Sequence, residues 1–215
     1  MSFHKLCYFF VLYTVYIFFK LFYRLKVYGR DHIVSGSAII APNHVSFFDP
    51  PVVAVSCAEE IHFLARQTLF KSFFGKCIAF LNSHPIKKGG TNISTLKQIE
   101  HLLNQGKKVL IFPEGKRSID NHLQGIKPGI GMLIYNSKSV IIPTYIYGTY
   151  EVWNCNRKIP KIFGKIAVIF GTPIWGGDYV DIEKKEAQKL IVKHLSHSIT
   201  KLREWYENGA EGVPP

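Results

Sequence analysis

An α/β fold, a single domain with a largely parallel central sheet flanked by helices, is what this sequence predicts, and three observations predict it. Beyond residue 36, short apolar runs recur at Ser37–Ala41, Ile61–Ala65, Lys108–Phe112, Val140–Tyr147 and Ile166–Phe170. Each has the length of a strand, and their continuous apolar character suits strands covered on both faces. Helical patterns fall between them, so the chain alternates strand and helix as βα units do. With 215 residues, it is long enough for one core of ordinary size and short for two.

Of the helices, one is marked by Ile93, Leu96, Ile99, Leu102 and Leu103, which recur at three- and four-residue steps before a stop at Gly106. A second runs from about Asp181 to Tyr206, with Leu190, Ile191, His194, Leu195, Ile199, Leu202 and Trp205 along one stripe. Its pattern leaves open whether it packs on the sheet or lies on a membrane. No internal repeat or low-complexity segment interrupts the chain, and the tail Asn208–Pro215 (NGAEGVPP) reads as disordered.

The N-terminal segment is different in kind. From Leu6 to Phe19 it carries no charge (LCYFFVLYTVYIFF), with Lys5 on one side and Lys20, Arg24 and Lys26 on the other. About 20 apolar residues are needed to cross a bilayer, so the run is marginal as a span. Its Tyr and Phe rings suit the interface, and the flanking lysines can snorkel to headgroups. A membrane-anchoring helix is the expectation, either spanning or lying in the interface. A signal peptide fits less well, because no small-residue cleavage site follows. A helix packed on the domain's own core is the plain alternative. The chain thus divides into an N-terminal membrane anchor (1–30), an α/β domain (31–207) and a tail (208–215).

Charge points the same way. Lys and Arg number 27 against 15 Asp and Glu, a formal +12, which implies an anionic partner. The aromatic residues are concentrated in the N-terminal stretch and not interleaved with the basic ones, which favours a phospholipid surface over nucleic acid. Cys7, Cys57, Cys77 and Cys155 lie far apart with no C-x-x-C spacing, so neither a zinc site nor a disulfide framework is suggested.

Two loops carry the chemistry, each at the carboxyl end of a predicted strand, where open α/β sheets place ligands. The first reads Asn43-His44-Val45-Ser46-Phe47-Phe48-Asp49-Pro50-Pro51. On a regular helix, residues five apart diverge by about 140°, so His44 and Asp49 would not meet. The Pro50-Pro51 pair favours a helix start there, making Asp49 an expected N-cap and leaving 43–48 as a loop able to bring imidazole to carboxylate. Asp49 would then fix the tautomer of His44 and leave its other nitrogen as a general base. A cap and an incidental histidine would give the same spacing.

The second loop reads Phe112-Pro113-Glu114-Gly115-Lys116-Arg117-Ser118. Gly115 permits close backbone approach, and Lys116 and Arg117 suit a phosphate, Arg117 through a bidentate fork. A charged turn in which Glu114 pairs with Arg117 is the competing reading. Lys87 and Lys88, before Gly89-Gly90, offer further phosphate contact or are a solvated pair.

Together these segments resemble the glycerolipid acyltransferase family, specifically bacterial 1-acyl-glycerol-3-phosphate acyltransferases, over roughly residues 38–148. Asn43, His44 and Asp49 are similar to the first family motif. Phe112–Ser118 is similar to the third, with Lys116 where threonine is usual. The second is matched more loosely, with Lys88 in place of the family arginine, a point charge for a planar fork. Val140-Ile141-Ile142-Pro143 resembles the fourth, which borders the acyl site.

The resemblance implies an enzyme in which His44 and Asp49 are catalytic. Arg117 and Glu114 bind substrate, with Gly115, Lys116, Lys87 and Lys88 around the phosphate, and Pro143 lines the acyl site. The implied reaction is acylation of the sn-2 hydroxyl of lysophosphatidic acid. Acyl-CoA or acyl carrier protein serves as co-substrate, and no cofactor or metal is required. The expected setting is the cytoplasmic face of the cell membrane, with no nucleic acid as partner. Ser46 is expected to have no nucleophilic role, and the Glu114–Gly115 backbone is the expected oxyanion donor. Glycerol-3-phosphate or another lysophospholipid as acceptor, and a non-catalytic anionic-lipid-binding protein, remain as alternatives. A hydrolase is disfavoured by the lack of a G-x-S-x-G elbow.

Overall fold

The computed structural model describes residues 3–71, 73–86 and 93–215. In chain order the elements are α1 (Phe3–Tyr23), β1 (Lys26–Tyr28), β2 (Ala38–Pro42), α2 (Asp49–Cys57), β3 (Ile61–Arg66), α3 (Phe73–Phe80), β4 (Ser83–Ile86), α4 (Ile93–Asn104), β5 (Lys108–Leu110), α5 (Gly129–Ser137), β6 (Val140–Tyr147), α6 (Thr149–Trp153), β7 (Ala167–Phe170), β8 (Ile174–Trp175) and α7 (Lys184–Glu207).

All five predicted strands form, with ends moved by at most two residues, and they join three short ones into an eight-stranded sheet ordered β1-β7-β6-β2-β5-β3-β4, with β8 beside β6. The run β6-β2-β5-β3-β4 is parallel, so the carboxyl ends of β2, β5 and β3 open on one edge. β7 runs antiparallel to β6 and carries β1 parallel to itself.

The period of two along each strand sends alternate side chains to two cores. On one face Ile40, Ile142, Ile146 and Val168 meet Val52 and Val53 of α2 and Phe19 and Tyr23 of α1. On the other, Ile39, Ile141, Tyr145 and Ile169 meet α4, α5 and α7. The amphipathic pattern of α7 therefore serves the sheet: Ala187, Ile191, Leu195, Ile199 and Leu202 are buried, whereas Leu190 and His194 of the predicted stripe face outward. α7 begins at Lys184, later than predicted, because the Glu183 carboxylate accepts from the N–H groups of Lys185 and Glu186 and caps it.

Two sequence expectations, the end of the anchor and the disordered tail, are corrected. The anchor segment ends before residue 30, since Lys26–Tyr28 pairs with Ala167–Ile169 as an edge strand. α1 packs one face on the domain, where Tyr8, Phe19 and Tyr23 are buried and the Tyr8 hydroxyl accepts from Ile61 N–H, while Phe3, Leu6, Phe10, Tyr13, Leu21 and Phe22 remain exposed. By length and composition the helix is sufficient to cross a membrane. Finally, the tail folds back onto the sheet. Thr172 N–H donates to Pro215 O, Trp205 Nε1 to Glu211 O, and Pro214 is buried against the β1 approach at Gly29. Backbone hydrogen bonds, which composition does not reveal, hold it there.

Candidate active site

The loop between β2 and α2 is organised by one carboxylate. Asp49 is fully buried. Its Oδ2 accepts from His44 Nδ1 at 2.8 Å and from the N–H groups of Val45 and Ser46 at 2.7 Å each, and its Oδ1 accepts from Thr149 Oγ1 at 2.6 Å. The expected N-cap is displaced by one residue: Phe48 takes the cap position and Asp49 lies in the first turn, from which its side chain turns back into the loop. The prolines that follow suit that turn, where no N–H partner is available.

His44 is thereby oriented from three sides. Its Nδ1 is held by Asp49, its ring stacks on Phe112 with centroids 3.8 Å apart, and its backbone N–H donates to Glu114 Oε1 at 3.1 Å. Nε2 has no hydrogen-bond partner among the described residues, and the side chain is 17% exposed. The imidazole thus has one nitrogen fixed and the other open, the arrangement a general base requires.

The second loop is fastened to the first. Ser118 N–H donates to His44 O at 2.7 Å, and the Arg117 guanidinium lies over the Phe47 ring at 3.7 Å. Arg117 forms no ion pair with Glu114, so the paired surface turn is not what the structure builds. Gly115 takes a φ of +71°, and its N–H closes a turn onto Phe112 O, so that amide is not a free oxyanion donor. Gly115 and Lys116 are exposed. Lys87 and Lys88 lie outside the described residues. Pro143 is buried inside β6, and its carbonyl accepts from Gly171 N–H where the strand changes partner from β8 to β7. The missing proline N–H falls at that gap, so it costs no ladder bond.

A family model described as Acyltransferase matches residues 24–147, more than half of the chain, and takes in both loops. The chain belongs to the acyltransferase family. Among curated relatives, it is 24% identical to the 1-acyl-sn-glycerol-3-phosphate acyltransferase of Bacillus subtilis, covering 83% of this chain and 87% of that one. To the probable 1-acyl-sn-glycerol-3-phosphate acyltransferase of Mycoplasma pneumoniae it is 21% identical, covering 81% and 71%. The crystal structure of the 1-acyl-sn-glycerophosphate (LPA) acyltransferase PlsC from Thermotoga maritima shares the fold, with a TM-score of 0.70 at 22% identity over 92% of this chain and 83% of that one.

Asn43 and Thr149 hold the His44 loop in ways that the motif does not reveal, and a basic cavity opens at another strand end of the same sheet. Asn43, counted in the motif without a role, is buried and grips β6 through two bonds: its Nδ2 donates to Ile146 O and its Oδ1 accepts from Ile146 N–H. Thr149 reaches Asp49 from 100 positions away, presented by a turn at Gly148 whose φ is +83° and where a Cβ would collide with Lys165 O. Arg66 and Lys71 line a cavity of about 430 Å³ at the carboxyl end of β3, with Gln67 and Thr68. Ser46, by contrast, is engaged structurally: its Oγ donates to Trp153 O and accepts from Phe48 N–H.

Glu114 is a buried acid at this acyltransferase's second loop. It is 3% exposed and Oε2 has no partner among the described residues. Burial pushes its pKa up to about 7, against the opposing main-chain N–H groups of His44 and Gln124. An unfolded glutamate titrates near about 4.3. Because the folded state binds this proton more tightly, its contribution to stability is complete below that value and lost as pH rises through about 7. Glu114→Gln is therefore expected to flatten the fall in melting temperature between about pH 5 and 8. Parallel profiles for the two proteins would assign the pH dependence elsewhere.

Proposed function

We propose that the chain moves a fatty acyl group from an acyl thioester, acyl-CoA or acyl carrier protein, to the sn-2 hydroxyl of lysophosphatidic acid at the cytoplasmic face of the cell membrane, yielding phosphatidic acid. The observation that carries the reading is the His44 Nδ1–Asp49 bond with Nε2 left open on the sheet edge that also holds Arg117, Arg66 and Lys71. The names of the relatives supply the acceptor.

In this mechanism Nε2 of His44 takes the proton of the acceptor hydroxyl as its oxygen attacks the thioester carbonyl. The tetrahedral intermediate collapses by breaking the carbon–sulfur bond, and the imidazolium returns the proton to the departing thiolate. Asp49 holds the ring and stabilises its transient charge. Arg117, whose guanidinium carries no carboxylate partner among the described residues, binds the acceptor's phosphate, and the Arg66 and Lys71 cavity adds cationic surface at another strand end of the sheet.

An apolar groove of about 140 Å³ lies on the far side of the first turn of α2, between Leu12 and Val15 of α1 and Pro50, Pro51 and Ala54. Its lining suits an acyl chain, which makes it a better candidate for acyl-site lining than Pro143, buried in mid-strand.

A purified-enzyme assay with lysophosphatidate and both donor types tests the reading. Phosphatidate is the expected product, and free fatty acid or no transfer from either donor would reject it. Within that assay, Arg117→Ala is expected to raise the KM for the phosphorylated acceptor about tenfold or more, consistent with losing a charge-assisted pair, while kcat changes little. An unchanged KM would move the phosphate to Arg66 and Lys71.

A further inference from the structure

The connection from α6 to β7 runs from Asn154 through CNRKIPKIFG to Lys165. Loop tips are ordinarily polar, yet Ile159, Ile162 and Phe163 are 74%, 68% and 69% exposed. Arg157, Lys158, Lys161 and Lys165 stand among them, exposed, and the segment contains no acidic residue.

This loop is held firmly from behind. The Tyr23 hydroxyl donates to Lys161 O at 2.9 Å, Gly164 N–H donates to Phe22 O at 3.2 Å, and Trp153 Nε1 donates to Arg157 O at 3.1 Å. Two of these bonds come from the last turn of α1, and the Phe163 ring stacks on Phe22 at 5.9 Å. The loop tip and the outward face of α1 are thus one apolar surface, bordered by Lys20, Arg24 and the loop's four cations. Water does not favour a contiguous apolar patch of this kind, and an anionic leaflet satisfies both its parts, taking the rings below the headgroups and the cations among them.

We propose that residues 154–165 and the outer face of α1 form a single docking surface for an anionic phospholipid leaflet, on which α1 lies in the interface and does not cross. The inner face of α1 packs on the domain through Tyr8, Phe19 and Tyr23, so the plane of the leaflet meets its outer side. The proposal rests on reading the enzyme as membrane-bound, but not on which acceptor it acylates. The surface is also tied to the catalytic loop, because Trp153 O, immediately before the connection, accepts from Ser46 Oγ and Phe47 N–H. Docking therefore sets the orientation of His44 over the leaflet.

The test uses the full chain and vesicles of phosphatidylcholine with and without phosphatidylglycerol. Wild type is expected to float with the anionic vesicles and to be released by an alkaline carbonate wash. The double variant Ile162→Asp, Phe163→Asp is expected to bind at least tenfold more weakly. Lys158→Gln is expected to lose about fivefold and to show a shallower salt dependence. Turnover of a monodisperse short-chain lysophosphatidate should stay within about twofold of wild type in these variants, while turnover of vesicle-embedded acceptor falls with binding. Equal flotation of wild type and the double variant would overturn the proposal, as would retention of wild type through the carbonate wash. Conversion of a wild-type dimer to a monomer, with vesicle binding unchanged, would also overturn it and mark a protein interface. If wild type floats as expected but turns over no acceptor, the docking surface stands and only the proposed reaction fails.

Discussion

Replacing His44 by alanine is expected to lower the turnover number by about two to four orders of magnitude, the usual contribution of a positioned general base. KM for the acceptor and the melting temperature should change little. The ring is partly exposed and contributes to the fold mainly through its stack on Phe112, whereas the main-chain bonds at residue 44, to Glu114 Oε1 and from Ser118 N–H, survive truncation of the side chain. Steady-state kinetics on the purified variant, beside a thermal melt, separates the two effects. Turnover retained within tenfold would leave the proposed base without a role.

Asp49→Ala should reach a similar loss of turnover by another route and carry a cost in stability that His44→Ala does not. Its removal strands four donors, three of them on the buried Val45, Ser46 and Thr149 and one on the partly exposed His44. A stranded buried donor costs about 1–3 kcal/mol, and partial relaxation of the loop brings the expected total to about 3–5 kcal/mol. For a domain of this size that lowers the melting temperature by roughly 10 °C. Thr149→Val strands no donor but leaves Asp49 Oδ1 without its bond, and should cost about 2 kcal/mol, less than Asp49→Ala, with most turnover retained. A melt of Asp49→Ala superimposed on wild type would show that the carboxylate does not organise the loop.

Much of the candidate site's geometry was legible because its residues are compressed into two short loops. Pro50 and Pro51 announce the start of α2, which leaves His44 in a loop five residues before Asp49 and makes their bond geometrically available. What could not be read were the partners that arrive from elsewhere. Thr149, Ile146 and Trp153 come to the His44 loop from 100 or more positions away, and no local periodicity encodes which strand will lie beside which. The raised pKa of Glu114 is invisible for the same reason, since it depends on what covers the carboxylate.

The short strands at Lys26–Tyr28, Ser83–Ile86 and Ile174–Trp175 were missed because two to four residues carry too little pattern to be distinguished from loop. The tail was misjudged on composition, which reports apolar content but not the hydrogen bonds open to a main chain.

By itself, the sequence determined the alternation of strands and helices, the two strand-end loops and the apolar character of α1, because each is a property of neighbouring residues and of backbone preferences that act over a few positions. Only the tertiary structure decided that Asp49 would be saturated by four donors, that Glu114 would be buried with one oxygen unpaired, and that an exposed loop would continue the outer face of α1. Those are consequences of sheet order and packing, in which distant segments compete for the same space and the same hydrogen bonds.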